Sequence, residues 1–541
     1  MSHPNGVITA AYDALQTTQH INEPMRKTGE VISWLSALIT IVMMPSIAGA
    51  VDYDIGYEAS LTASTGSGDF APSYLMANNH GVLTQPNSTT LRLMSSGEFN
   101  LSDRFTLCFA VDVIGGYASE TDYQIYDTET ESMVLRSAPN APVWIQQLYA
   151  ELAYRSVFLS LGMKEEYSVL VNQDLSSGDL CFSGNARPMP GVLAGFVDFQ
   201  DIPLTKGWIQ VIGAVGYYAS LDENWMKDRY NYYNYYIAYD YMMHYKYMHL
   251  RTNPDKKFCF TIGCQSSCMI GGINETYKLG ALTQKTKTGI GLEEVFTAFI
   301  PGPGGETEGD KAFCEGNHLG TWDTMLRYRF NNDDELMIYY QSLWEDGSGI
   351  GKLNGFDGLY GIEYSGAYEG IIEGVVIEYL DLTNQSGAVH YDPEDHENGD
   401  LISSDATGAD DYYNNYAYCG YQYYGMALGS PFVRTAIYNT DGYMRITDNR
   451  IRAFHIGLQG HIGQNLSYRA KFGYRKSWGT PYIPLSQTRS ATSTMLELSY
   501  DCPFAPGLSV KAQFGTDRGE LVGDNTGGLV TISYNGLFGK K

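Results

Sequence analysis

The sequence predicts an all-β protein, a large antiparallel transmembrane β-barrel of about 16–18 strands with some helical or irregular plug and loop segments. Three observations predict this fold. Apolar and polar residues alternate along many short stretches, and tight turns alternate with long connections. In addition, aromatic residues make up 13% of the 541 residues and charged residues only 18%. The 59 glycines and 44 tyrosines suit many strands joined by tight turns and ringed by aromatic girdles.

The clearest alternation lies in residues 451–478, which predict a hairpin with one apolar and one polar face. Its first arm sets apolar residues on one face against polar residues on the other: Phe454, Ile456, Leu458 and Ile462 against His455, Gln459 and His461. A soluble sandwich would bury the apolar face against a second sheet. A membrane barrel would instead turn that face towards lipid and direct the polar face into a lumen.

The lengths of the connections favour the barrel. Tight turns are predicted at 102–103, 155–156, 331–334, 463–465 and 503–506. Extended connections are predicted at 165–205, 220–255, 270–318 and 382–450. Short turns alternating with long loops are typical of outer-membrane barrels, and a last strand that ends near Phe538 also suits insertion into that membrane.

The N-terminal region predicts export. A basic start at residues 25–27 precedes an apolar run at 31–44 and an A-x-A end at 48–50. We therefore predict a signal peptide at 25–50, cleaved near Ala50, after an upstream extension at 1–24 that lies outside the fold. Residues 51–541 are predicted to form the barrel with its long loops, in the outer membrane of a Gram-negative bacterium.

Composition and motifs argue against several functions. The formal net charge of -26 disfavours nucleic acid as a partner, because phosphate binding needs a basic surface. The eight cysteines are scattered without a CxxC pair, so no metal site and no cofactor is predicted. No histidine belongs to an HExxH motif or lies near a GxSxG elbow, so we predict a protein that is not an enzyme and has no catalytic residues. A glycosidase-like carboxylate pair from distant strands is the one arrangement that the sequence leaves open.

Tyrosine-rich stretches at 225–251 and 412–424 suggest contacts with glycans. Tyrosine rings stack on sugar faces and their hydroxyls form hydrogen bonds, but the same residues equally suit an interfacial girdle. Both interpretations stay open. The candidate glycan-binding residues are Trp225, Tyr232, Tyr233, Tyr235, Tyr236, Tyr412, Tyr413 and Tyr416.

Two groups of cations complete the candidates. Arg187 could pair with the carboxylate of an acidic sugar, and it equally suits a structural anchor for a plug loop. Arg469, Lys471 and Arg475 alternate along one strand and predict a basic stripe in the lumen, balanced by carboxylates on neighbouring strands.

Five stretches, in order along the chain, resemble the capsule assembly Wzi family in its Bacteroides-type form. They are DFAPSYLMANNHG (69–81), QQLYAEL (146–152), LSSGDLCFSGNARPMPGV (175–192), HYKYMHLRTNPDKKFCFTIGCQSSCMIGG (244–272) and GYQYYGMALGSPF (420–432). The order and spacing of these stretches are similar to those of the family over most of the mature chain. The chain departs from the family pattern at 264–268, CQSSC, so no role is carried over to that position.

The resemblance implies a lectin-like outer-membrane barrel with a closed lumen and helical segments that plug its periplasmic side. Such a protein binds capsular or surface polysaccharide and helps to assemble or retain it at the cell surface. Its partners would be the polysaccharide and outer-membrane lipid, with polysaccharide export machinery as a further candidate. The alternative is a porin-like outer-membrane channel for small solutes or oligosaccharides, which requires an unobstructed lumen.

Overall fold

The computed structural model describes residues 52–299, 317–345, 349–350, 355–385, 410–415 and 417–540. The predicted extension and signal peptide (1–50) and Tyr416 lie outside the described residues. The first half of the chain forms strands β1 (Asp52–Ser67), β2 (Ser88–Ser102), β3 (Phe105–Ala118), β4 (Thr121–Asp127), β5 (Ser132–Ala138), β6 (Val143–Tyr154), β7 (Val157–Met163), β8 (Pro190–Phe196), β9 (Gln200–Asp201), β10 (Ile209–Ala219), β11 (Asn234–Tyr239), β12 (Met242–Thr252) and β13 (Phe258–Ile270).

The second half continues with β14 (Gly272–Lys278), β15 (Ala281–Thr288), β16 (Asn317–Arg329), β17 (Glu335–Glu345), β18 (Gly358–Ser365), β19 (Gly374–Asp381), β20 (Gln422–Tyr423), β21 (Met426–Ala427), β22 (Ile451–Ile462), β23 (Leu466–Gly479), β24 (Pro484–Asp501), β25 (Leu508–Arg518) and β26 (Thr526–Lys540). The described residues also form the helices α1 (Ser73–Met76), α2 (Glu223–Arg229) and α3 (Leu292–Phe299), and a 3-10 turn at Ala436–Tyr438. Among the described residues, no helix is both long enough and apolar enough to cross a membrane.

Eighteen strands of the described chain form one closed antiparallel barrel, which confirms the predicted fold and strand number. Strands β8 and β9 both pair with β10 and together make one interrupted strand of the wall. Strand β1 pairs with β2 on one side and with β26 on the other, so the first and last strands close the sheet. Closure leaves no unpaired edge, which is the condition for a sheet to lie in a bilayer.

The wall has an apolar outer face and a polar inner face, as the alternation predicted. In β22 and β23, Phe454 and Phe472 are exposed outside, whereas His455, Lys471 and Arg475 are buried inside. Exposed aliphatic and aromatic residues continue in this way along most strands of the wall. A continuous apolar surface of this kind is stable against lipid and not against water.

The two ends of the barrel differ. Short turns such as 103–104, 155–156 and 463–465 lie at one end, which we call the short-turn end. Longer connections, including 68–87, 164–189, 220–241 and the described residues of 382–450, lie at the other, which we call the long-loop end.

Two of the long connections are shorter than predicted. Strands β8 and β9 lie inside the predicted connection 165–205, and β12 lies inside the predicted connection 220–255. In β12 the inner face is as apolar as the outer one. Met243 and Tyr245 pack in the core, so the alternation that reveals a strand is absent there.

Three of the long connections enter the barrel and form a plug, defined here as the described residues of 68–87, 164–189 and 410–450. Their apolar side chains share one hydrophobic core, which includes Tyr74, Leu180, Leu428 and Phe432. The plug therefore packs as a protein interior rather than lying loosely in a wet channel.

Candidate functional site: a plugged lumen and an aromatic mouth

Inner side chains around most of the wall are almost fully buried by the plug. They are Ser60, Asp112, Gln147, Ser160, His249, Asp323, Gln341, Glu378, His455, Lys471, Ser493 and Asp517. In an open channel these polar groups would face water. Their burial shows that the lumen is filled at this level by the described part of the chain.

His455 joins two plug segments to the wall. Its Nδ1 lies 2.6 Å from Tyr74 Oη, and its Nε2 lies 2.7 Å from the carbonyl oxygen of Leu175. A carbonyl only accepts, so Nε2 carries the proton and Nδ1 accepts the hydrogen bond from the Tyr74 hydroxyl. Both ring nitrogens of a neutral imidazole are thus satisfied, and one side chain of β22 holds both 68–87 and 164–189 in place.

Glycines on the inner face of this hairpin allow the plug to approach closely. A Cβ at Gly457 would clash with the backbone of Leu175, and a Cβ at Gly473 would clash with the hydroxyl of Tyr74. The absence of a side chain at these two positions lets the His455 hydrogen bonds form at normal length.

Two buried carboxylates of the wall hold the same segments. Glu378 on β19 accepts hydrogen bonds from Ser176 Oγ at 2.6 Å and from the Ser177 N–H at 2.7 Å. Asp517 on β25 accepts from the Ser73 N–H at 2.8 Å and from its hydroxyl at 2.7 Å. Hydrogen bonds to a charged group contribute about 1.5–3 kcal/mol each, so these contacts fix the plug firmly.

A third carboxylate lies on the plug itself. Asp179 accepts hydrogen bonds at 2.9 Å from the side-chain amides of Gln265 and Gln341, and at 2.6 Å from the hydroxyl of Ser168. Burial, the first cause, and the nearby carboxylate of Asp323 raise the pKa of Asp179. The amides from β13 and β17 thus supply the donors that a buried carboxylate requires.

The predicted basic stripe lies on the inner face of β23 and contacts the plug. Arg469 pairs with Asp174 of the plug at 2.6 Å and with Glu497 of β24 at 2.8 Å. Arg475 donates to Ser73 Oγ at 3.0 Å and stacks over the ring of Phe432. Lys471 is buried between them. These cations hold the plug rather than line a path for solutes.

Below the plug, towards the short-turn end, the inner face is only half-buried. Glu98, Glu151 and Gln513 keep part of their surface open to solvent, and Lys164, the first residue of the plug segment 164–189, reaches Glu151 in a 2.6 Å ion pair. The barrel thus has a wet, charged vestibule at the short-turn end and a packed interior above it.

The structure buries two of the predicted glycan contacts. Tyr412 and Tyr413 have no exposed surface, and the Tyr413 hydroxyl donates to the carbonyl of Leu180 at 2.7 Å. The tyrosine-rich pattern at these two positions reflects packing inside the plug, so neither ring offers a face to a sugar here. Tyr416 lies outside the described residues.

Arg187, Trp225 and Tyr232 occupy structural positions at the top of the plug. The Arg187 guanidinium lies between the rings of Trp144 and Tyr424, 4.8 and 4.6 Å from their centroids. Burial lowers the pKa of Arg187, because the charged guanidinium loses its hydration. An acidic partner at this position would offset that loss. Trp225 packs under Arg229, and the Tyr232 hydroxyl donates to the carbonyl of Lys227.

The remaining predicted tyrosines lie together at the long-loop end. Tyr235 stacks on Tyr236 with centroids 4.6 Å apart, and Tyr443 meets Tyr235 edge-on at 6.0 Å. Arg445 lies over both Tyr235 and Tyr443, 5.4 and 5.0 Å from their centroids. We call Tyr235, Tyr236, Tyr443 and Arg445 the mouth cluster. Tyr233, 40% exposed, lies nearby against Tyr126.

Arg445 and Tyr443 were missed by sequence reasoning, because single residues in an irregular loop carry no periodic signal. Arg445 Nε is buried and has no hydrogen-bond partner within the described residues. The ion pairs of that part of the chain also include none with Arg445. The Arg445 side chain as a whole is only half-buried, and a guanidinium beside tyrosine rings suits a carboxylate or hydroxyl ligand.

The fold of this chain is similar to that of a solved outer-membrane barrel. Wzi of Escherichia coli, described as a carbohydrate-binding β-barrel of the outer membrane involved in group 1 capsule assembly, has a TM-score of 0.50 at 11% identity. The match covers 97% of this chain and 92% of Wzi. OccAB2 of Acinetobacter baumannii gives a TM-score of 0.44 at 7% identity, covering 90% of this chain and 98% of that one. No protein-family model and no curated protein matches the chain.

Removing both wall carboxylates should loosen the plug. We expect Glu378→Ala with Asp517→Ala to leave Ser73, Ser176 and Ser177 unsatisfied, at about 1–3 kcal/mol for each buried group. Amide hydrogen exchange of residues 172–180 should then be at least about tenfold faster. Glu98→Ala, in the wet vestibule, is the matched control and should leave exchange unchanged. Equal protection in the double variant and the control would contradict this account of the anchors.

Plug stability should fall between about pH 4 and pH 7. Burial raises the pKa of Asp222, which precedes α2, to about 7, although it accepts the Tyr424 N–H at 3.1 Å. Since the unfolded value is near 3.9, the folded form holds the proton over this window. The protonated Asp222 side chain therefore contributes its full stability below about pH 4, and this contribution is lost as pH rises towards and through 7. Asp222→Asn should flatten the fall in melting temperature between pH 5 and 8; an unchanged slope would refute the assignment.

Proposed function

We propose that this protein is an outer-membrane barrel with a closed lumen, which binds a surface polysaccharide at its long-loop end and helps to retain it at the cell surface. In this proposal it belongs with the capsule assembly proteins of the Wzi family. The apolar outer wall supports the membrane location, the predicted signal peptide supports export, and an outer membrane implies a Gram-negative cell.

The observation that carries the proposal is the mouth cluster above a filled lumen. Tyrosine faces and hydroxyls suit sugar rings, and the unpaired Arg445 donor suits the carboxylate of an acidic sugar. A chain with a net charge of -26 would repel an acidic polysaccharide elsewhere, so a half-buried cation at the mouth gives that ligand a defined position.

The filled lumen supports binding over conduction. A porin-like channel requires a continuous aqueous path, whereas the inner wall here is satisfied by plug groups through buried hydrogen bonds. In this proposal the polysaccharide is therefore held at the mouth and not passed through the barrel, and export machinery would deliver it from outside this chain.

Variants of the mouth cluster test the proposal. We expect Arg445→Gln to weaken binding of acidic surface polysaccharide, extracted from the producing cells, by about tenfold, since it removes a charge-assisted contact. Tyr235→Ala should weaken binding of that polysaccharide and of a carboxyl-reduced preparation alike, because stacking does not depend on charge. Arg445→Lys should recover part of the binding.

Tyr368→Ala is the matched control. Tyr368 is 75% exposed in the short turn 366–373, at the opposite end of the barrel, and should have no effect on binding. Barrel folding of each variant is checked by heat-modifiable migration on a gel. Unchanged binding in folded Arg445→Gln and Tyr235→Ala proteins would refute the proposed site.

A further inference from the structure

The outer wall carries a cup at the long-loop end where β19, β22 and β23 reach the rim. Arg452 donates through Nε to Asp381 at 2.8 Å and through Nη2 to Thr383 Oγ1 at 3.2 Å. Arg450 donates to the carbonyl of Thr383 at 3.1 and 3.2 Å. Lys476 and Arg452 both lie over the Trp478 ring, 5.3 and 5.7 Å from its centroid. We call Asp381, Thr383, Arg450, Arg452, Lys476 and Trp478 the rim cup.

The charge of the rim cup is opposite to that of the chain as a whole. Carboxylates outnumber lysines and arginines 61 to 35 over the sequence. The polar depression at the rim is lined by Arg452, Asp381 and the buried Asp357, whose carboxylate accepts hydrogen bonds from the N–H groups of Asn384 and Gln385. Among the described ion pairs, neither Arg450 nor Lys476 has a carboxylate partner. Unneutralised guanidinium and ammonium groups at one spot suit a phosphate.

An apolar groove begins directly below the cup. Tyr360 and Tyr379 line both the polar depression at the rim and the groove. The groove continues down the outer wall between Phe260, Ile338, Ile362 and Phe454. These side chains are exposed on the face that we place against lipid, so the groove suits an acyl chain and not a soluble ligand.

We propose that the rim cup and the groove together bind one phosphate-bearing lipid of the outer leaflet. Its phosphate lies between Arg450, Arg452 and Lys476, and an acyl chain follows the groove past Tyr360 and Tyr379. This inference rests on the membrane placement in the proposed function, but the rim cup and the mouth cluster have no residue in common, so the two sites can be tested separately. Such a site would hold one lipid of the surrounding leaflet bound to the outer wall of the barrel.

Charge decides between this lipid and a zwitterionic one. A choline or ethanolamine headgroup brings its own cation to the phosphate and would compete with the arginines and the lysine. A lipid with phosphate groups and no cation places all of its charge on the cup. The aromatic residues that line the groove near the rim, where Tyr340 stacks on Tyr360, add the interfacial belt at which headgroups lie.

Native mass spectrometry of the detergent-released protein tests the proposal, with diphosphoryl lipid A as the probe. The same lipid A with both phosphates removed, and phosphatidylcholine, are the comparison ligands. We expect wild-type protein to retain the diphosphoryl form in preference to both. Arg452→Gln with Lys476→Gln should raise its apparent Kd by about tenfold, and Lys476→Glu alone should do the same without removing a hydrogen bond.

The matched control is Lys256→Gln, which removes a lysine that lies over Trp208, 5.6 Å from its centroid, at the short-turn end. It should leave the affinity for diphosphoryl lipid A unchanged. Equal binding of the dephosphorylated lipid, or an equal loss in the control, would overturn the phosphate site. Loss of polysaccharide binding in mouth variants that keep their lipid would leave this inference standing, so the two failures are distinguishable.

Discussion

The hydrogen bonds of His455 are the contact on which the interior of this barrel depends. One imidazole accepts from Tyr74 and donates to the backbone of Leu175, and so joins two plug segments to one wall strand. Its neighbours Gly457 and Gly473 provide the space, and Glu378 and Asp517 hold the same segments from other strands. A barrel of eighteen strands is wide enough to leave a channel, and these polar contacts decide that it is filled.

The polar inner face has two roles at different heights. In the upper part its carboxylates, amides and cations form hydrogen bonds with the plug or with one another, which makes them structural. In the lower part the same kinds of residue stay half-exposed and form a charged vestibule. Ligand binding is thereby left to the long-loop end, where Tyr235 of β11 meets Tyr443 and Arg445 of the segment 410–450.

Much of the architecture could be predicted from the sequence, because a lipid-facing wall requires strict alternation. Residues 451–478 show this, with Phe454 and Phe472 outside and His455 and Arg475 inside. The alternation fails in β12, where the plug makes the inner face apolar. It misled at Tyr412 and Tyr413, whose pattern reflects packing in the plug core. Arg445 carries no local signal, because its role comes only from the tertiary meeting of loops distant in sequence.

Single-channel recording in a planar bilayer tests the central claim most directly, with residues 51–541 and with the Glu378→Ala, Asp517→Ala form of that chain. Insertion is shown independently by protease protection of the barrel. We predict that the wild-type protein gives no current, and that the variant without the two carboxylate anchors gives measurable openings. A steady open-state current from the wild-type protein would contradict a closed lumen and would favour the channel function instead.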